Sequence, residues 1–111
     1  MSAKKLDLLR GTLDLLILQV LLLQPLHGVA ISDRIRQVTK GTFDVPAGSL
    51  FPALHRLEQE GWIEGEWSLD NGRRIKSYAL TSSGRKQLAT EKRAWNRTVE
   101  AVGQVLDTAS E

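Results

Sequence analysis

Apolar positions along the chain change their period partway through. From Leu13 to about Leu23 they lie almost all round a helical cylinder, which predicts a helix enclosed on several sides with Thr12 as its N-cap. QPLHG, punctuated by Pro25 and Gly28, predicts a turn. In VAISDRIRQVT the residues Ile31, Ile35 and Val38 recur at i, i+4 and i+7, so a second helix is expected there. Lys40-Gly41 closes it, glycine being common at a left-handed cap. A third helix is expected from Ala47 to Glu60, burying Leu50, Leu54 and Leu57 and ending at Gly61.

Beyond Gly61 the period falls to two. WIEGEWS and RIKSYAL predict two strands, and Asn71-Gly72 between them is a strong hairpin signal. With those two residues at the centre of the turn, Ile63 faces Leu80 and Gly65 faces Tyr78. Ile63, Trp67, Tyr78 and Leu80 then share one face, Gly65 leaves room for the Tyr78 ring, and Trp62 and Trp67 belong to the hairpin core. Thr81 caps a final helix on which Leu88, Trp95, Val99, Val102 and Leu106 form a heptad seam interrupted by Lys92. A one-sided stripe of this kind must be buried somewhere, and the same helix of a second copy is the simplest sink. The order of elements predicts a mainly α fold with a small β-hairpin. It is a winged helix-turn-helix over residues 6–80, followed by a dimerisation helix over 81–108.

Composition removes other classes. A chain of 111 residues suits one small domain with an appended helix, and its formal net charge of +2 permits a polyanionic partner without demonstrating one. The absence of cysteine excludes disulfides, thiolate metal sites and cysteine nucleophiles. Two histidines, His27 and His55, are too few for a histidine metal site, and His27 reads as a turn or capping residue. There are no paired carboxylates, glycine-rich phosphate loop or serine elbow, so no enzyme and no cofactor are expected. No signal-peptide pattern opens the chain, and LDLLILQVLLLQP falls short of the roughly 20 apolar residues of a membrane span. A cytoplasmic protein without membrane contact is the expectation.

The third helix carries the candidate chemistry. Steps of roughly 100° per residue put Gly48, Pro52, His55 and Gln59 opposite the leucine face, with Ser49 and Arg56 on one shoulder and Phe51 on the other. A proline is tolerated near the first turn of a helix, and Pro52 fits that place. Gly48 and Pro52 are slim and allow close approach of another surface. Ser49 and the helix N-terminus offer donors to a phosphate. Arg56 can fork onto guanine O6 and N7 or onto a phosphate, and His55 can donate to either. Arg73, Arg74 and Lys76 surround the hairpin tip with no acid nearer than Asp70, a composition suited to gripping a nucleic-acid backbone. A cap, a first-turn proline and a solvated face is the plainer reading, and a winged helix that binds another protein is the functional alternative. The basic tip beside the slim helix face favours double-stranded DNA.

These residues also resemble a known family. HG at 27–28, GSLFPALHRLEQEGWI at 48–63, GRRIKSYALTSSGRKQL at 72–88 and Trp95 resemble the PadR transcriptional regulators, in particular the subgroup with a single C-terminal helix. The resemblance spans roughly Leu6 to Leu106. It implies a homodimer that binds a palindromic operator, usually as a repressor. By position it makes Ala47, Gly48, Ser49, Phe51, Pro52, His55 and Arg56 the contacts of the recognition helix, and Arg73, Arg74 and Lys76 those of the wing. The first and last helices would form the dimer interface through Leu13, Leu16, Leu88, Trp95, Val99, Val102 and Leu106. In members that bind flat aromatic drugs, a tryptophan of the last helix lines a pore at that interface. Trp95 is thereby a candidate contact for a small aromatic effector, although its place on the seam favours dimer core. Two positions depart from the family's pattern: Phe51 and Val29 stand where tyrosine is common, so Phe51 brings no phenolic oxygen.

Overall fold

The computed structural model describes residues 10–108; residues 6–9 of the expected first domain lie outside them. Helix α1 spans Arg10–Val20 and buries Leu13, Ile17 and Leu18. Thr12 lies inside α1 rather than capping it. Residues 21–23 have left the helix, and Leu21 still reaches the core while Leu23 is 83% exposed. Helix α2, Gly28–Val38, buries Ile31 and Ile35 as the spacing predicts. Val38, expected on the same stripe, is exposed, because the core ends before the last turn of α2. The helix stops in a cap where Lys40, not Gly41, first takes the left-handed conformation (φ 53°) and Gly41 follows at φ 84°. The Gly41 N–H donates to the Arg36 carbonyl at 2.9 Å, satisfying a terminal acceptor.

Helix α3, Ala47–Gln59, buries Leu50, Ala53, Leu54 and Leu57. It ends on Gly61 at φ 77°, with the Trp62 N–H donating to the Leu57 carbonyl and the Gly61 N–H to that of Glu58. That pairing is a Schellman closure, and it turns the chain directly into strand β2.

Between α1 and α2, where the sequence predicts only a turn, Leu26–His27 form a short strand, β1. Strands β2, Ile63–Asp70, and β3, Arg73–Leu80, make the hairpin, and β1 adds to the free edge of β3 in an antiparallel sheet ordered β1-β3-β2. Leu26 pairs with Tyr78 and His27 with Ser77. Two residues are too few to show a period, which is why β1 is invisible until its partner is in place. The hairpin register is the expected one: Ile63 opposite Leu80, Gly65 opposite Tyr78 and Asp70 opposite Arg73. Asn71 and Gly72 both take positive φ, 52° and 77°, as a two-residue turn matched to strand twist requires.

Helix α4 runs Ser82–Thr108. The Thr81 hydroxyl accepts from the Gly84 N–H at 2.9 Å and donates to the Gly61 carbonyl at 2.7 Å, so the cap ties α4 to the end of α3. Only Gly84 and Leu88 of α4 are buried. One core joins Leu13, Ile17, Leu18, Ile31, Ile35, Val45, the α3 leucines, Ile63, Tyr78 and Leu88. Four helices and a three-stranded antiparallel sheet in this order are a winged helix-turn-helix with a C-terminal helix.

Candidate nucleic-acid interface

Ala47, Gly48, Ser49, Phe51, Pro52, His55 and Gln59 are all exposed, so the leucine stripe of α3 turns the expected set outward. Pro46 occupies the cap position and provides no side-chain cap. Pro52 is the sixth residue of α3, deeper than the first turn. Its ring has no N–H for the Gly48 carbonyl, and both residues lie on the exposed face, where that acceptor can meet water or an incoming donor.

Phe51 is 46% exposed, and its ring packs over Gly28. A Cβ at Gly28 would lie 2.8 Å from Phe51 Cε1 and 3.1 Å from Cζ. Gly28 is therefore the first residue of α2 and a seat for the Phe51 ring, where the sequence suggests a turn glycine.

Arg56 departs from the expected outward role. Its guanidinium donates to Asp14 Oδ1 of α1, with the two side chains 26% and 16% exposed. The pair fastens α3 to α1 and leaves Arg56 turned away from the exposed set. Burial holds the Asp14 carboxyl above its ordinary 3.8; Arg56 and Arg10 oppose the shift, and Glu91 adds to it.

The wing divides its three cations. Arg73 and Arg74 are exposed near the tip, and the Arg74 guanidinium lies 4.6 Å from the centre of the Trp67 ring. Trp67 is 55% exposed, so it is a platform for Arg74 and not the core residue the sequence suggests. Trp62 does pack against the core. Lys76 turns inward and donates to Glu58 Oε1 of α3 at 3.0 Å. That hydrogen bond raises the Lys76 pKa above its ordinary 10.5, against a smaller effect of burial. Gly65, opposite Tyr78 as expected, leaves room for the Lys76 side chain and not for the tyrosine ring. Between α3 and the wing lies an open groove of about 450 Å³ lined by His27, Phe51, Trp67, Arg74, Lys76 and Tyr78.

Sequence reasoning missed Asp14 and Glu58, the acids that engage two of the candidate cations. Asp14 left a trace, as a charge in the otherwise apolar middle of α1.

The seven candidate interface residues also separate. Leu13 and Leu88 are 5% and 3% exposed in the chain's own core, so they are not available to a partner. Leu16 is half-buried on α1. Trp95, Val99, Val102 and Leu106 are 45–67% exposed along α4, with Val105 beside them. Trp95 faces α1 across an open groove lined by Leu15, Leu16, Gln19, Lys92 and Asn96. Among the described residues, no group of three or more histidine, cysteine, aspartate or glutamate side chains could hold a metal ion. No described helix is long and apolar enough to cross a membrane.

The fold and this exposed helix-and-wing face define a protein of the winged-helix regulator class. Residues 17–90 match the family described as the Transcriptional regulator PadR-like family, and the chain belongs to it. A transcriptional regulator from Clostridium thermocellum superposes with a TM-score of 0.81 at 27% identity, covering 86% of this chain and 93% of that one. A PadR family transcriptional regulator from Eggerthella lenta superposes at 0.80 with 29% identity, covering 89% and 85%. Over 68 residues, 61% of each chain, the sequence is 32% identical to transcriptional regulator Rv3488 of Mycobacterium tuberculosis. The chain is a PadR-family transcriptional regulator.

Proposed function

We propose that this regulator is a homodimer that represses transcription by binding a palindromic site in double-stranded DNA. One observation carries the reading: Phe51, on the exposed face of α3, and the Arg74–Trp67 edge of the wing line the same groove. A helix end for the major groove and a cationic edge for the adjoining backbone are thereby presented together. Ala47, Gly48, Ser49, Phe51, Pro52 and His55 form the helix contacts, with Phe51 offering its ring edge to sugar or a thymine methyl. Arg73 and Arg74 grip phosphates. Arg56 and Lys76, engaged with Asp14 and Glu58, support this face from behind.

The second copy binds along α4, through Trp95, Val99, Val102 and Leu106 with Leu16 of α1. In this reading Trp95 is interface core. It is also the residue to watch for quenching by a small aromatic effector. Repression follows from occlusion, two helices in successive major grooves excluding polymerase. The test is footprinting upstream of the protein's own gene at two salt concentrations. Two protected half-sites about one helical turn apart are expected, with weaker protection at the higher salt. Protection of one half-site by a single chain would count against the dimer. No protection at any salt would favour a protein partner for the same face.

A further inference from the structure

Lys76 projects from the face of β3 that also carries Arg74, yet its ammonium is engaged by an acid of α3. It reaches Glu58 on α3 at 3.0 Å, and the two side chains keep only 26% and 31% of their exposure. The path runs over Gly65 of β2: a Cβ there would lie 2.3 Å from Lys76 Cε and 2.9 Å from Glu58 Oε2. Any larger residue at that position would displace the lysine stem. The ammonium also lies 5.3 Å from the centre of the Tyr78 ring and 5.7 Å from that of the Trp67 ring.

The ends of the pair matter more than its strength. Glu58 belongs to the helix that presents Ser49 and His55, and Lys76 to the strand that presents Arg74. Phe51 and Arg74 line the same groove. A binding surface made of two separate elements reads its target only when their spacing suits both contacts at once. We propose that the Lys76–Glu58 pair across Gly65 is a strut that sets the spacing between recognition helix and wing. Lys76 is then a positioning residue for the DNA-binding face and no phosphate contact.

This inference rests on the proposed DNA-binding role, and the two make separable predictions. The measurement is affinity for the footprinted site and for unrelated duplex DNA over a salt series, using the full chain. Glu58→Gln removes an acid from beside a polyanion, which by charge alone should tighten binding. The strut predicts the reverse on the specific site, a loss of about five- to tenfold, while binding to unrelated DNA holds or tightens with the lost charge. Lys76→Met should cost the specific site a similar factor while leaving its salt slope unaltered; a phosphate contact would reduce that slope by about 0.9. The double variant should be no worse than either single one, since both remove the same strut. Gly65→Ala, which changes no charge, should reproduce the loss if one of the charge variants folds poorly. A wild-type chain with no specific site overturns the DNA reading and the strut together. A specific wild-type complex that Glu58→Gln leaves unchanged or tightens overturns the strut alone.

Discussion

At the scale of single residues, the useful distinction is between cations that face outward and cations that are engaged. Arg56 and Arg74 are chemically alike and differ only in what surrounds them. Arg56→Ala leaves the Asp14 carboxylate, 16% exposed, without its donor. That should cost about 1–3 kcal/mol of stability by urea unfolding, with a further rise in the Asp14 pKa. The sign of the pH dependence follows from the existing shift. Because folding raises the Asp14 pKa above 3.8, its contribution is fully present below that value and is lost as pH rises through the folded pKa. Asp14→Asn should therefore gain on the wild type across that window and show no such slope, measured by unfolding from acid to neutral pH. Arg74→Ala leaves the fold alone, because its guanidinium rests on an exposed ring. It should weaken binding to all duplex sequences alike and reduce the salt slope by about 0.9, read by titration at several salt concentrations.

Among the elements, glycines decide how closely the pieces approach. Gly84 is the tightest: a Cβ there would lie 1.9 Å from the Trp62 carbonyl oxygen, which is backbone and cannot swing aside. Gly84→Ala should force α4 away from the start of β2 and cost about 3 kcal/mol, with a matching fall in unfolding midpoint. Thr81 holds the same junction by hydrogen bonds to Gly61 and Gly84, so cap and close approach act together. The hairpin shows how far local signals reach. Asn71-Gly72 specify a two-residue turn, the turn sets the register, and the register decides which side chains share a face. The same reasoning did not find β1, because its two residues become a strand only by pairing with β3. Nor did it find the seat at Gly28, since Phe51 arrives there from another helix.

The whole molecule is extended beyond what its length requires. Its radius of gyration is 16.0 Å, against about 13 Å for a compact chain of this size. The excess comes from α4, whose buried residues are confined to its first two turns while its apolar seam continues to Leu106. A half-exposed row of Trp95, Val99, Val102 and Leu106 is an apolar patch of the kind that marks a contact with another surface. The proposed dimer supplies that surface. Val102→Asp places an unpaired charge in the middle of the seam and should weaken dimerisation by about a hundredfold or more. Sedimentation or light scattering should show monomers at concentrations where the wild type is dimeric, with the fold intact by circular dichroism. Paired half-site protection should be lost with it.

Residues that act through their neighbours in sequence were legible without a structure. The leucine stripe of α3, the Asn-Gly turn with its register and the outward row from Gly48 to His55 depend on helical or strand period alone. What tertiary structure decided was the use of each charge and each apolar side chain. Arg56 meets Asp14 across 42 positions and Lys76 meets Glu58 across 18, separations that no local pattern encodes. Leu88 carries the same heptad pattern as the exposed seam residues, yet it is buried with Leu13 in the chain's own core. A period tells which way a side chain points from its own element; only packing determines what waits there.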